Sequence, residues 1–349
     1  MTINSISTLA LNSALRTSTL EKQTALRDAQ LEVATGKYAD VGYQLGAFTS
    51  TTISLDKQML LIEQTQVTNS IAANGMTVMQ NAMLASVEQA NSFIGNMTAE
   101  LSGTLEPDLM RSLADSTLGT FHTTLNTTFK GEHLFSGLNT DSTALVDYNG
   151  ADGTAAKAAV QAAFVATFGF TPDNALAEGL TETDIEGFVN GAFEALFDDA
   201  NWETLWSGSS ERGRRLKISG NEFVENMTTG YNETFRTITS AAVLISEFAD
   251  ANFNEEARDR MATLAVSKMS VGIKQLGEEQ STMGVLEERI QLANEQMSLQ
   301  SNILATQLSE LTDVDPYEAA LNLNQITTSL EASYAATARI QSLSLLNFI

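Results

Sequence analysis

The chain has no cysteine, only three prolines and two tryptophans, and few aromatic residues. Without cysteine neither a disulfide framework nor a thiolate metal site can form, and the redox compartment stays open on that count. A membrane-spanning helix needs about 20 consecutive apolar residues, and no run here approaches that length. Basic residues are scarce as well: 19 Lys and Arg stand against 43 Asp and Glu, a net charge of −24. Such a balance argues against nucleic-acid binding, against membrane insertion and against an anionic membrane surface; its plain reading is solubility. The first thirty residues lack the basic stretch, apolar core and small-residue cleavage site of a signal peptide, so any export is expected to take another route.

What the chain does have is helical periodicity. From Asp313 to Ile349 there is one proline, no glycine and little charge. Leu323, Ile326, Leu330, Tyr334, Thr337, Ile340 and Leu343 recur at spacings of three and four, which draws one stripe down a helix. The last residues, including Leu343, Leu346, Phe348 and Ile349, form an apolar cluster, and such a segment calls for a partner. A second thin stripe, with Ile3, Ile6, Leu11, Leu15 and Leu26, marks a helix over 3–34, but Thr and Ser fill many of its other positions. An isolated helix of that quality is marginal in water. The simplest arrangement pairs the two terminal helices as a coiled coil. The candidate assembly interface is therefore Ile3, Ile6, Leu11, Leu15 and Leu26 with Leu323, Ile326, Leu330, Ile340, Leu343, Leu346 and Phe348, and it fits self-assembly into a ring or helical array.

Between the termini, a glycine-punctuated loop (36–46) leads to a helix of about fifty residues from Phe48, with Ile53, Met59 or Leu60, Val67, Ile71, Val78, Met79, Met83 and Val87 on its apolar face. Glu106-Pro107-Asp108 opens another helix, because proline suits the first turn and acids favour the N-terminus. Residues 137–153 carry the Asn, Asp and Gly of turns and short strands. Helical pieces are expected at 155–168 and 182–199, then at 223–250 and from Glu255 to about Leu311. The predicted fold class is mainly α: an elongated rod of long helices, terminal helices paired as a coiled coil, and an inserted α+β outer domain. The expected domains are a terminal assembly domain (1–40 and 313–349), a helical rod (41–136 and 218–312) and the insertion (137–217).

No catalytic constellation emerges, and no metal or cofactor is expected. His122 and His133 are the only histidines, and neither has the second histidine or spaced carboxylate of a metal site. Ser136 lacks the G-x-S-x-G setting of a nucleophile elbow. Glu278-Glu279 and Glu287-Glu288 read as a solvated helix face. Arg212, Arg214, Arg215 and Lys217 form the one basic cluster, either a contact to an acidic neighbouring subunit or a solvated turn. Trp202 and Trp206, four apart, share a helical face and read as core of the insertion.

Three stretches resemble the flagellin and flagellar hook-associated protein family. LRTSTLEKQTALRDAQLEVATGKYADV is similar to its N-terminal helix and following turn. TFKGEHLFSGLNTDSTAL looks like its passage into the outer domain. LTDVDPYEAALNLNQITTSLEASYAATARIQSLSLLNFI is similar to its C-terminal helix, and ATGKYADVGYQLGA departs from the fuller early signature of flagellin proper. The LFSGLNTD and closing SLLNFI strings lie nearest to members that join hook to filament. The resemblance implies a non-enzymatic, extracellular subunit of the bacterial flagellum, exported unfolded by the type III apparatus with an export chaperone. Its implied neighbours are another hook-associated protein and flagellin, which would polymerise on a ring of these subunits. The alternative it leaves is a flagellin, the filament subunit itself.

Overall fold

The structure is a computed structural model that describes residues 8–101, 106–224 and 228–346, and leaves the side chains of 8–12, 100 and 340–346 undescribed. It is mainly α. Helices α1 (Thr8–Thr35), α2 (Val41–Leu45), α3 (Thr49–Leu101) and α4 (Pro107–Leu125) precede a hairpin of β1 (Thr128–Phe129) and β2 (Glu132–His133). Then come α5 (Thr154–Phe168), α6 (Glu182–Phe188), α7 (Asp199–Asn201), a second hairpin of β3 (Leu216–Lys217) and β4 (Phe223–Val224), α8 (Glu233–Phe248), α9 (Glu255–Thr312) and α10 (Pro316–Leu346). No helix among the described residues is long and apolar enough to cross a membrane.

Two compact units divide the chain, and the divisions fall inside α3 and α9: residues 1–64 with 297–349, and residues 65–296. In the second unit α4 packs along α8. Phe164 on α5 stands at the centre of an aromatic group, edge-on to Phe188 at 5.4 Å and beside Phe248 at 5.3 Å. Trp202 and Trp206 are fully buried and stacked 6.1 Å apart, as expected of core residues. Their indoles donate to the carbonyls of Gly230 (3.0 Å) and Leu196 (2.9 Å), so neither N–H is left unpaired.

Three helical expectations are corrected. The helix expected over 182–199 breaks at Phe188, because a π-helical turn covers Val189–Phe193. One residue more per turn lets Phe188 and Phe193, five apart, both reach the aromatic group. The helix expected from Phe223 begins instead at Glu233. Phe223 and Val224 pair with Leu216 and Lys217, and Asn232 caps α8 by accepting from the Thr234 N–H at 3.0 Å. In the loop expected at 36–46, α2 forms because Asp40 caps it, accepting from the Tyr43 N–H at 2.8 Å.

The short strands expected within 137–153 do not form; the two hairpins lie outside that segment, at 128–133 and 216–224. Lys130 and Gly131 both have positive φ (54° and 85°), the two-residue turn that matches strand twist in a hairpin. The LFSG loop that follows is fastened from within. Buried Ser136 donates to the Ser142 carbonyl at 2.5 Å, and its own carbonyl accepts from Ser210 at 3.1 Å. A side chain on Gly137, at φ 64°, would fall 2.4 Å from Ser210 Oγ, so glycine is required there.

Two measurements check this packing. Gly272 on α9 sits where an added Cβ would lie 2.4 Å from Ile238 of α8. Glycine to alanine inside a helix normally adds about 1 kcal/mol, yet Gly272→Ala is expected to lower stability by about 1–3 kcal/mol through overpacking. A rise in thermal midpoint would contradict the close approach. The second concerns Tyr148, which is buried and donates to Glu247 at 2.9 Å. Burial first, and then the Glu247 charge, raise its phenol well above the ordinary range. Unfolded, it ionises near pH 10. Its contribution is thus complete below about pH 10 and declines above it, by up to about 1.4 kcal/mol per pH unit. Denaturant titrations between pH 8 and 11 should show a shallower decline in Tyr148→Phe.

Candidate assembly interface

Helix α1 is poor in strong helix formers, and its hydroxyls take up local work. Thr17, Thr19, Thr24 and Thr35 each donate to the carbonyl four residues earlier. Its inward positions step by three and four: Leu15, Ser18, Lys22, Ala25, Ala29 and Glu32 are all buried or half-buried. Helix α10 steps alike through Ala319, Leu323, Ile326, Leu330, Ser333 and Thr337. Two such rows on two helices make a coiled-coil seam.

The pairing is antiparallel. Lys22 Nζ donates to Ser333 Oγ at 2.7 Å and to the Ser329 carbonyl at 3.3 Å, and Gln23 donates to the Tyr334 hydroxyl at 2.7 Å. Where the helices turn away, Tyr38 N–H donates to the Thr312 carbonyl (3.0 Å) and Val314 N–H to the Gly36 carbonyl (2.9 Å). This short bridge between Lys37 and Asp313 holds the two ends of the unit together by backbone bonds.

Of the residues expected at the interface, Leu15, Leu26, Leu323 and Ile326 are half-buried and Leu330 is buried in this seam. Leu11, Ile340, Leu343 and Leu346 lie on α1 and α10, but their side chains are outside the described set. Ile3, Ile6 and Phe348 lie outside the described residues. Sequence reasoning missed the polar half of the seam, Ser18, Lys22, Ser329 and Ser333. Their three-and-four spacing was the available signal, and a search for apolar residues passes over it.

The same unit holds a smaller cluster, Leu55 and Ile62 of α3 with Met297 and Leu304 of α9. Here too an expectation is corrected. Ile53, Val67 and Ile71, read as part of the inward face of α3, are exposed, and of the alternatives Met59 and Leu60 it is Met59 that is half-buried. The inward row is Thr52, Leu55, Met59 and Ile62, which steps by three and four; its Leu55, Met59 and Ile62 cluster with Met297 and Leu304 of α9. Farther along α3, Met79 and Met83 are buried and Val78 and Val87 half-buried. Among the described residues of this unit, seven apolar side chains are buried, whereas thirteen large ones are exposed. A surface of that balance fits contact with other chains.

Other candidates resolve as structural ties. His133 Nδ1 lies 3.1 Å from the Asn126 carbonyl, and no described group of His, Asp or Glu could hold a metal. Glu279, expected on a solvated face, accepts from Thr228 (2.5 Å) and Asn232 (2.7 Å) and so holds the loop before α8. In the basic cluster, Arg214 pairs with Glu132 at 2.6 Å and Arg215 lies over the Phe223 ring at 4.3 Å. The cavity beside α2 is lined by Glu32, Tyr38, Gln44, Asp315, Glu318 and Asn322 among others. Two of its carboxylates are engaged in the turn: Glu32 accepts from the Ala39 N–H and Asp315 from those of Tyr317 and Glu318.

Residues 6–140 match the bacterial flagellin N-terminal helical region, and residues 266–349 match the bacterial flagellin C-terminal helical region. The chain belongs to the flagellin and flagellar hook-associated protein family. The two family regions contain α1 and α10, the partners of the seam, and the paired inward rows of α3 and α9. Among solved structures, the fold is similar to that of a Vibrio parahaemolyticus protein described as a putative flagellar hook-associated protein. That likeness has a TM-score of 0.51 at 11% identity and covers 76% of this chain and 97% of the other. A search of curated proteins returned no match.

The seam makes a direct forecast for this flagellin-family subunit. Leu330→Asp, placing a charge at a buried position, should loosen the α1–α10 pair and expose α1 to protease, with a loss on the order of 2–3 kcal/mol. Leu321→Asp, at a site 53% exposed, should change stability by less than about 0.5 kcal/mol. Equal behaviour of the two variants in limited proteolysis would refute the seam.

Proposed function

We propose that this chain is a structural subunit that joins hook to filament, assembling as a ring on which flagellin polymerises. Membership of the flagellin family supports a structural part of the flagellum, an extracellular appendage. The observation that carries the assembly reading is the first unit, whose described residues leave more large apolar side chains exposed than they bury apolar ones of any size. A helix pair seals one stripe per helix, and the remainder is left for neighbours. The placement at the junction rests on the LFSGLNTD and SLLNFI strings. The solved relative described as hook-associated is in keeping with it, but its low identity speaks for the fold alone.

In this reading the subunit's axial neighbours are a second hook-associated protein and flagellin. It leaves the cell unfolded through the type III apparatus, escorted by a chaperone that covers the terminal helices. Residues 137–217 face outward from the assembled ring. The second reading, a filament subunit, is favoured by the fact that both matched regions are flagellin regions. Immunogold electron microscopy of intact flagella, with antibody against residues 137–217, separates the two. A single labelled band where hook meets filament is the expected result. Label along the whole filament would make the chain a flagellin, and an unlabelled flagellum would overturn both.

A further inference from the structure

Lys157, in the first turn of α5, ends among side chains from other segments of the second unit. Its Nζ lies 3.5 Å from Asn149 Oδ1, 3.8 Å from Glu247 Oε2 and 5.4 Å from the centre of the Tyr148 ring. The far side of the Asn149 amide is held as well. Nδ2 donates to Asp115 of α4 at 2.9 Å, and Asp115 also accepts from Ser246 of α8 at 2.5 Å. Glu247 has a side chain only 6% exposed, and it accepts from the Tyr148 hydroxyl at 2.9 Å and from Gln161 at 2.6 Å. An amine, a primary amide and two carboxylates thus converge at one place.

The backbone that carries Asn149 is fixed. Upstream, Asn126 accepts from the Ala144 N–H and donates to the Leu145 carbonyl, both at 2.7 Å. Val146 N–H donates to the Trp206 carbonyl at 2.9 Å, and Tyr148 stacks on Trp206 at 5.7 Å. Asp147 closes the turn, accepting from the Asn149 N–H at 3.2 Å and, through its carbonyl, from the Gly150 N–H at 3.0 Å. Gly153, just before α5, lies so close to this turn that an added Cβ would fall 2.4 Å from the Tyr148 carbonyl. Turn and helix start are pressed together, so a rigid frame presents Lys157 and Asn149 to each other.

A lysine beside an asparagine is most often a plain surface contact. This pair differs because the amide is held from its other side, a buried carboxylate stands next to the amine, and the backbone on both sides is fixed. We propose that Lys157 and Asn149 react with each other to form an intramolecular amide cross-link, releasing ammonia. A C=O bond is about 1.2 Å long, so the amide carbon lies no farther than about 4.7 Å from Nζ. Amine–amide exchange is slow between free molecules, but well-oriented intramolecular reactions reach effective molarities of about 10⁵–10⁸ M.

Each residue has a part. The Lys157 ammonium gives one proton to the Glu247 carboxylate, and the freed electron pair attacks Asn149 Cγ. A second proton passes from Nζ through water to Nδ2, which Asp115 holds turned away from the lysine. The Cγ–Nδ2 bond breaks as the carbonyl re-forms, and ammonia leaves from the exposed amide with the proton on Glu247, as ammonium. The carboxylate is restored, and no oxidant or other reactant is consumed. The product ties the 147–153 turn to α5 covalently, in a chain that has no cysteine and therefore no disulfide.

The test is intact mass spectrometry of the full chain after purification and incubation at neutral pH, followed by peptide mapping. The expected parent is lighter than its sequence by one ammonia. Its digest contains a branched peptide joining residues 149 and 157, and trypsin no longer cuts after Lys157. Lys157→Arg and Asn149→Ala should each keep the full mass. Glu247→Gln, checked for folding by circular dichroism, should form the link at least about tenfold more slowly. A parent that keeps its full mass overturns the proposal. A loss of ammonia that persists in Lys157→Arg overturns it too, because that product is Asn149 closing on the Gly150 nitrogen. A folded Glu247→Gln that links at the parent's rate would overturn the part given to Glu247.

Discussion

A long helix can bury only as much of itself as its neighbours cover, and that constraint orders the whole chain. In the first unit α1 has α10, and the ends of α3 and α9 have each other. A single partner can seal one stripe, so Ala29, Leu330, Leu55 and Ile62 are buried while most of each helix remains at the surface. In the second unit, α4, α5, α8 and the turns around Trp202 add further layers. The same long helices there reach a continuous core running from Met76 to Ala293. The contrast follows from the number of layers more than from the composition of the helices.

Charge is distributed in the same sense. The first unit has six basic and eleven acidic residues, and the second has most of the acidic excess. In the second unit cations serve as local ties between outer segments and long helices: Arg236 to Asp199, Arg260 to Glu186, Lys268 to Glu194 and Arg289 to Glu222. Such half-exposed pairs each contribute little to stability, but they set which segment lies against which helix. The first unit has Arg27 beside Asp28, a contact between chain neighbours that fixes nothing distant. Its surface is instead Thr, Ser, Asn and Gln with isolated Leu, Ile and Tyr. A contact made there depends on fit and apolar burial and is weakly screened by salt.

Much of this was legible in the residues. Pro107 and Asp108 located the start of α4, and the stripes of α1 and α10 located the terminal pair. Of the leucines and isoleucines expected there, Leu15, Leu26, Leu323 and Ile326 are half-buried and Leu330 is buried. What misled was weighting by hydrophobicity. Ile53, Leu60 and Val67 are a stronger apolar row than one that includes Thr52, Gln66 and Asn69, yet the weaker row faces α9. Asn69 is fully buried and donates to Asn294 and to the Ile218 carbonyl, both at 2.8 Å, so a polar side chain holds an inward place by its bonds. The π turn at Val189–Phe193 was equally hidden, since a spacing of five fits neither a helix nor a strand template.

The thinness of the terminal seam has a consequence for how order and assembly relate. Threonine and serine occupy positions where leucine would make a self-sufficient zipper, and Lys22 spans the gap with hydrogen bonds. Each such exchange removes apolar burial while leaving the spacing intact, so the pair is specified in register but weakly held. A neighbour that covers further apolar surface of the unit binds the paired state and not the separated one. By mass action it then adds its own binding free energy to the stability of the pair. A richer seam would be stable without neighbours and would gain less from them. A seam with the wrong spacing could not be rescued by neighbours at all. Correct spacing with poor burial is the combination that makes the order of these helices depend on what surrounds them.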